Sequence, residues 1–193
     1  MPKKKKTSNV SYLAFIPAAL LVAFIVYLVV TPPSPNLTTI TTTTQGQTLT
    51  QGGIAPSFTL NKIDGNGLSN EKYEFNPLSG RVFFMDFIHE WCVHCRNMAP
   101  VIEKLHSNYG GRVEFITVAG GYNTDPQKTA QFINRYGISW TTLYDPQLEV
   151  FSKYGVRGTP TYFVVGPDGQ ILAKLEGEQP YERLAQTLEQ AIK

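Results

Sequence analysis

Residues 84–100 read FMDFIHEWCVHCRNMAP and hold both cysteines of the 193-residue chain, Cys92 and Cys95. A structural disulfide acts mainly by restricting the unfolded chain, and so short a loop removes little of that freedom. Bracing the fold is therefore a poor use for the pair. A structural zinc site takes four protein ligands, and one CxxC with only His89, His94 and His106 is a thin set for it. Covalent haem of the c type needs His directly after the second cysteine, where Arg96 stands. What remains is a redox-active dithiol that needs no cofactor beyond its own disulfide and no metal.

Such a pair needs a platform, and the flanking residues supply one. RVFFMDFI, residues 81–88, has the apolar density of a central strand buried on both faces. Asp86 interrupts it: a carboxylate there either reaches solvent at the strand end or is buried for a task. Beyond it, Met98, Val101, Ile102 and Leu105 mark one face of a helix that ends near Gly110, with Pro100 expected to kink it. The motif thus sits at a strand-to-helix junction, with Cys92 near the helix N-terminus and Cys95 one turn in.

Upstream, residues 55–69 (APSFTLNKIDGNGLS) read as a short hairpin turning at Gly65 and Gly67. Downstream come a strand in RVEFITVAG, a helix begun by Asp125 and Pro126 and closed at Gly137, and a short helix in LEVFSKYGV. A hairpin through Pro167-Asp168-Gly169 and an amphipathic helix in PYERLAQTLEQAIK finish the chain. The alternation predicts an α/β domain, a mixed central sheet flanked by helices, over residues 54–193.

The N-terminus carries different information. Residues 1–9 form a basic tail with Lys3 to Lys6, and residues 10–30 hold no charge over a length that crosses a hydrocarbon core as a helix. The positive-inside rule puts the tail in the cytoplasm and the domain outside the cell membrane, on a single-pass signal anchor. A cleaved secretory signal is the alternative, and it exports the domain too. Residues 31–53, rich in Thr, Pro, Gln and Gly, read as a flexible linker carrying the sequon Asn36-Leu37-Thr38. The net charge of +2 belongs to the anchor: without its four lysines, 13 basic residues face 15 acidic ones. Nothing in that balance points to nucleic acid.

With those pieces in order, the chain resembles membrane-anchored thioredoxin-fold proteins of the TlpA/ResA-like thiol-disulfide oxidoreductase group. IAPSFTL with IDGNGLS resembles the group's N-terminal β-hairpin extension, VFFMDFIHEWCVHCRNMAP its active-site strand and helix, and YGVRGTPTYFVVGPDGQIL its second signature. The resemblance implies that Pro160 is a cis-proline facing the dithiol and that Thr159 offers backbone groups to substrate. It also makes Asp86 the buried carboxylate under the resolving cysteine. A DsbA-like oxidase has a His where His94 stands, which implies a thiolate stabiliser; on the residues alone, His94 could be merely exposed. Trp91 shields the dithiol and shapes a docking surface, or packs as a core aromatic. ResA-like reductases place a Glu three residues after the second cysteine, where this chain has Met98, so a general disulfide substrate is expected rather than apocytochrome c.

The chemistry expected is thiol-disulfide exchange. A helix N-terminus acidifies Cys92 as nucleophile, Cys95 resolves the mixed disulfide, and Asp86 relays the proton. Exported protein disulfides or thiols are the expected substrates. An exported dithiol also needs a membrane redox partner, which the resemblance makes either a CcdA/DsbD-like electron carrier or a quinone-linked oxidase. Two other readings stay open. APSFTL also opens peroxiredoxins, which carry Thr where His89 stands, and copper chaperones of this fold bind through two cysteines and a distant histidine.

Overall fold

The computed structural model describes residues 51–193. The expected basic tail, membrane span and linker up to residue 50 lie outside the described residues, among which no helix is long and apolar enough to cross a membrane.

The expected central strand is β3, Val82–Ile88, buried at every position. It lies between two partners, parallel to β4 (Val113–Gly120) and antiparallel to β6 (Thr161–Val165). β7 (Ile171–Glu176) returns antiparallel beside β6. On the other side β4 is followed by β5 (Thr141–Asp145), parallel to it, and then by the hairpin of β1 (Phe58–Asp64) and β2 (Gly67–Phe75). The sheet is therefore mixed, in the order β2-β1-β5-β4-β3-β6-β7.

β5 has no counterpart in the sequence reading, which leaves residues 138–147 without an element. Only Leu143 and Tyr144 in this five-residue strand are apolar, too few to show a period. It is nonetheless the seam of the domain, because β1 joins the sheet through Asn61 opposite Tyr144 and Lys62 opposite Leu143. The hairpin itself turns at Gly65-Asn66, where a Cβ on Gly65 would lie 1.9 Å from Asn134 Oδ1. Asn134 Nδ2 donates to the Gly65 carbonyl at 2.7 Å, so the turn is pinned to the helix beneath it.

Among the described residues four helices complete the fold: α1 (Val93–Tyr109), α2 (Pro126–Tyr136), α3 (Glu149–Lys153) and α4 (Tyr181–Ala191). Pro100 lies inside α1, which continues for more than two turns beyond it. The Asp125 carboxylate accepts from Lys128 N–H as the cap of α2, and Gly137 closes that helix at φ 63°. Asp145, fully buried, accepts from the N–H groups of Glu149, Val150 and Phe151 and so fixes the start of α3.

Strand pleating divides the core between the two faces of the sheet. On one face Phe83, Met85 and Phe87 pack with Phe163, Phe151 and Tyr154. On the other, Phe84 and Tyr162 meet Met98 and Ile102 of α1 and Leu184 and Leu188 of α4.

Candidate active site

Cys92 is the N-cap residue of α1, in extended conformation at φ −69° and ψ 118°. Its Sγ accepts from the Cys95 N–H at 3.3 Å and donates to the Thr159 carbonyl at 3.2 Å. The helix start thus presents its N–H groups to whatever charge Cys92 carries. Cys92 is only 6 % exposed, with the Thr159 turn lying over its thiol. It still borders a cleft of about 830 Å³ whose walls include Trp91, Tyr122, Phe151, Val156 and Arg157.

Cys95 lies deeper, at 3 % exposure, against Ile88, Ala99 and Ala119. Burial pushes its thiol pKa far up, and the charge of Asp86 and the bond with Cys92 push the same way. The two sulfurs are therefore unequal: one opens on a cleft, and the other is held protonated below it.

Asp86 follows from the pleat. It faces α1 from β3 and stands directly opposite Tyr162 in the β3–β6 register, so both side chains share one face. Among the described residues neither Asp86 Oδ1 nor Tyr162 OH has a hydrogen-bond partner, although both residues are buried. Burial pushes the Asp86 carboxyl up to about 8. The solvent-reaching alternative is thereby corrected: Asp86 is enclosed, 8 % exposed, within a strand buried along its whole length.

The Thr159–Pro160 peptide bond is cis, and the turn it belongs to supplies the carbonyl above Cys92. Trp91 is partly exposed, with its indole Nε1 donating to the Tyr122 carbonyl at 2.8 Å. His94 lies on the rim, and its Nδ1 is 2.7 Å from Glu178 Oε1; no hydrogen bond joins it to Cys92 among the described residues.

His89, Tyr122 and Glu178 belong to the site and were not picked out for it by sequence. His89 is buried between Trp91 and Phe151, with ring centroids 4.9 and 5.0 Å away, and its Nδ1 is 3.4 Å from Thr159 Oγ1. Burial pulls its pKa down, favouring a neutral ring. A Cβ on Gly120 would come within 2.7 Å of His89 Nε2, so that glycine makes room for the ring. A polar residue just past an apolar strand, three before Cys92, was the available signal. Tyr122 and Glu178 gave none, because only tertiary structure brings them near.

Among the described residues no group of three or more His, Cys, Asp and Glu converges to hold a metal ion. The copper alternative thus finds no third ligand beside the two thiols in that part of the chain.

Residues 52–174 match the AhpC/TSA family. The thiol-disulfide oxidoreductase ResA of Bacillus anthracis is 29% identical over 133 residues, covering 69% of this chain and 73% of that protein. ResA of Bacillus subtilis (strain 168) is 27% identical over 134 residues, covering 68% and 70%. Among solved structures, the thioredoxin domain of a thiol-disulfide oxidoreductase from Bacteroides vulgatus superposes with a TM-score of 0.64 at 21% identity, covering 76% of this chain and all of that one. That likeness gives a thioredoxin-type fold.

Proposed function

The chain belongs to the AhpC/TSA family and is a thiol-disulfide oxidoreductase, and on that premise we propose that it exchanges disulfides of exported proteins through Cys92 and Cys95. One observation carries the assignment of roles. Cys92 lies at the helix start beside an open cleft, whereas Cys95 is sealed below it with a strongly raised pKa.

In the reducing direction the Cys92 thiolate attacks one sulfur of a substrate disulfide, and the other sulfur leaves as a thiolate that takes a proton. A mixed disulfide now joins Cys92 to the substrate. Cys95 attacks Cys92 Sγ, its proton passes to Asp86, and the second substrate sulfur leaves. The products are a reduced substrate and the Cys92–Cys95 disulfide, two electrons having passed to the substrate. Reversal of the same steps oxidises a dithiol. Asp86 serves because its raised pKa lies closer to that of a thiol than an ordinary carboxylate does. Trp91 and the Thr159–Pro160 turn flank the approach to Cys92, and His94 completes the motif's rim as a stabiliser of its thiolate. The pair requires no other cofactor or metal.

The apolar stretch 10–30 behind four lysines supports a single-pass anchor with the domain on the extracytoplasmic side. There the dithiol is reset by a membrane partner, a CcdA/DsbD-like carrier for reduction or a quinone-linked enzyme for oxidation.

The test is the reduction potential of the pair, together with trapping by Cys95→Ala. A potential at or above about −150 mV assigns disulfide donation, and one at or below about −250 mV assigns reduction. The Cys95→Ala variant should accumulate mixed disulfides through Cys92; their absence, with turnover retained, overturns the roles. Peroxide consumption by the reduced protein, or one tightly bound Cu(I) without exchange activity, would move the assignment to a peroxidase or a copper chaperone.

A further inference from the structure

Three consecutive residues after β7 touch both sides of the dithiol. Gly177 N–H donates to the Pro160 carbonyl at 2.8 Å. Glu178 Oε1 accepts from Asn97 Nδ2 at 2.8 Å and lies 2.7 Å from His94 Nδ1. Gln179 N–H reaches Met98 Sδ at 3.4 Å. The segment is therefore a strap from the Thr159–Pro160 turn to the first two turns of α1.

Its middle residue meets His94, the basic side chain inside the CxxC motif. A positive charge in the first turn of a helix opposes the helix dipole and gains most from a nearby anion. Two anions can serve His94: the Cys92 thiolate, two residues before it, and Glu178. The ring nitrogen is on Glu178, whose carboxyl the bonds to His94 and Asn97 hold below the usual range. Arg96, the neighbouring cation, is held elsewhere: its Nε and Nη2 donate to the carbonyls of Glu90 and Trp91 at 3.2 and 3.0 Å. Arg157, on the facing wall of the cleft, is the remaining positive group there.

We infer that Glu178 draws the His94 charge away from the Cys92 thiolate and thereby lowers the reduction potential of the dithiol. The inference rests on the exchange reading above and adds how the site's redox poise is set. Stabilising the thiolate stabilises the reduced form and makes the disulfide more oxidising. Diverting the imidazolium to a carboxylate does the reverse. His94 and Glu178 are both exposed, so the effect is modest and screened by salt. Asn97 keeps the carboxylate in place through either charge state of the histidine.

The experiment is a double-mutant cycle on the full chain, with Glu178→Gln, His94→Gln and both together equilibrated against glutathione. Two protein thiols and one glutathione disulfide give the Cys92–Cys95 disulfide and two glutathione thiols, two electrons and two protons moving together. Glu178→Gln should shift this equilibrium about threefold toward reduced protein, a rise of about 14 mV for a two-electron couple. In the His94→Gln background the same substitution should shift it by less than about 1.5-fold, within about 5 mV. Equal shifts in the two backgrounds, or none in either, overturn the inference, since a purely structural strap would alter melting without this coupling. A wild-type pair that fails to titrate as a two-electron couple would instead overturn the exchange reading itself.

Discussion

Asp86 and Phe87 are neighbours on β3, and the pleat sends them to opposite sides of the sheet. Phe87 enters a continuous aromatic packing, within 5.2 Å of Phe151, 5.3 Å of Tyr154 and 5.5 Å of Phe163, centroid to centroid. Asp86 enters the space under α1, where its own Oδ1 and the Tyr162 hydroxyl are both unpartnered. One face is dominated by apolar packing and stabilises the fold. The other keeps polar groups unpaired under α1, which opposes folding and, in the exchange proposed above, would give the resolving cysteine a base. The difference marks one place where this protein tolerates instability, beneath the dithiol, where the proposed exchange moves a proton.

The widest separation of the two faces should come from Cys92→Ser. Exchange activity should fall by about a thousandfold or more, as expected for loss of the attacking atom, while the melting temperature stays near wild type. A large drop in melting would mean that the thiol also holds the fold.

Asp86→Asn should act in opposite senses on activity and stability. The carboxyl titrates near 8 when folded and near 3.8 when unfolded, so the folded state binds more protons between those values. Wild-type stability should therefore fall as pH rises from about 4 to about 8 and level off on either side. The Asn variant should lose that slope, matching wild type at pH 4 and exceeding it by several kcal/mol above pH 8 in denaturant melts. Decay of the mixed disulfide should slow by about tenfold or more, and its rise with pH through about 8 should vanish. Unchanged decay would remove Asp86 from the proton path.

Phe87→Ala tests the quiet face. It should lower stability by about 3–5 kcal/mol in urea melts and leave the reduction potential unchanged, because the cavity opens away from the sulfurs. A shifted potential would show that the two faces are mechanically coupled.

The smallest effect belongs to the cleft rim. Trp91→Phe keeps an aromatic over His89 but removes the bond to the Tyr122 carbonyl, and should lower kcat/KM for protein disulfides by about fivefold, near 1 kcal/mol. A small disulfide such as that of glutathione should react almost as before, since it needs less of the rim.

How much of this was legible depended on distance along the chain. β3, α1 and the dithiol were readable because one run of residues carries strand, junction, cysteines and helix face together. The β6–β7 hairpin was readable from Pro167-Asp168-Gly169 between two apolar runs. β5 was not, because its burial comes from neighbours on both sides rather than from its own composition. In the site, Cys92, Cys95 and Asp86 declared themselves by residue type in context. His94 did so only halfway: its place in the motif was plain, but its partner Glu178 is 84 residues away and no local pattern links them.

One feature of the fold bears on how the domain carries load. Gly52 N–H and the Gly53 carbonyl both pair with Ile171, and Ala55 N–H pairs with the Gly169 carbonyl, at the end of β6–β7 farthest from Thr161. The five residues of β6 separate that end from the Cys92 turn by about 15 Å. A pull on the chain before Gly52 would be met at Gly169 and Ile171, with the strand pair between them and Thr159. The reactive pole thus stands a strand's length from the place where the N-terminal chain enters the sheet.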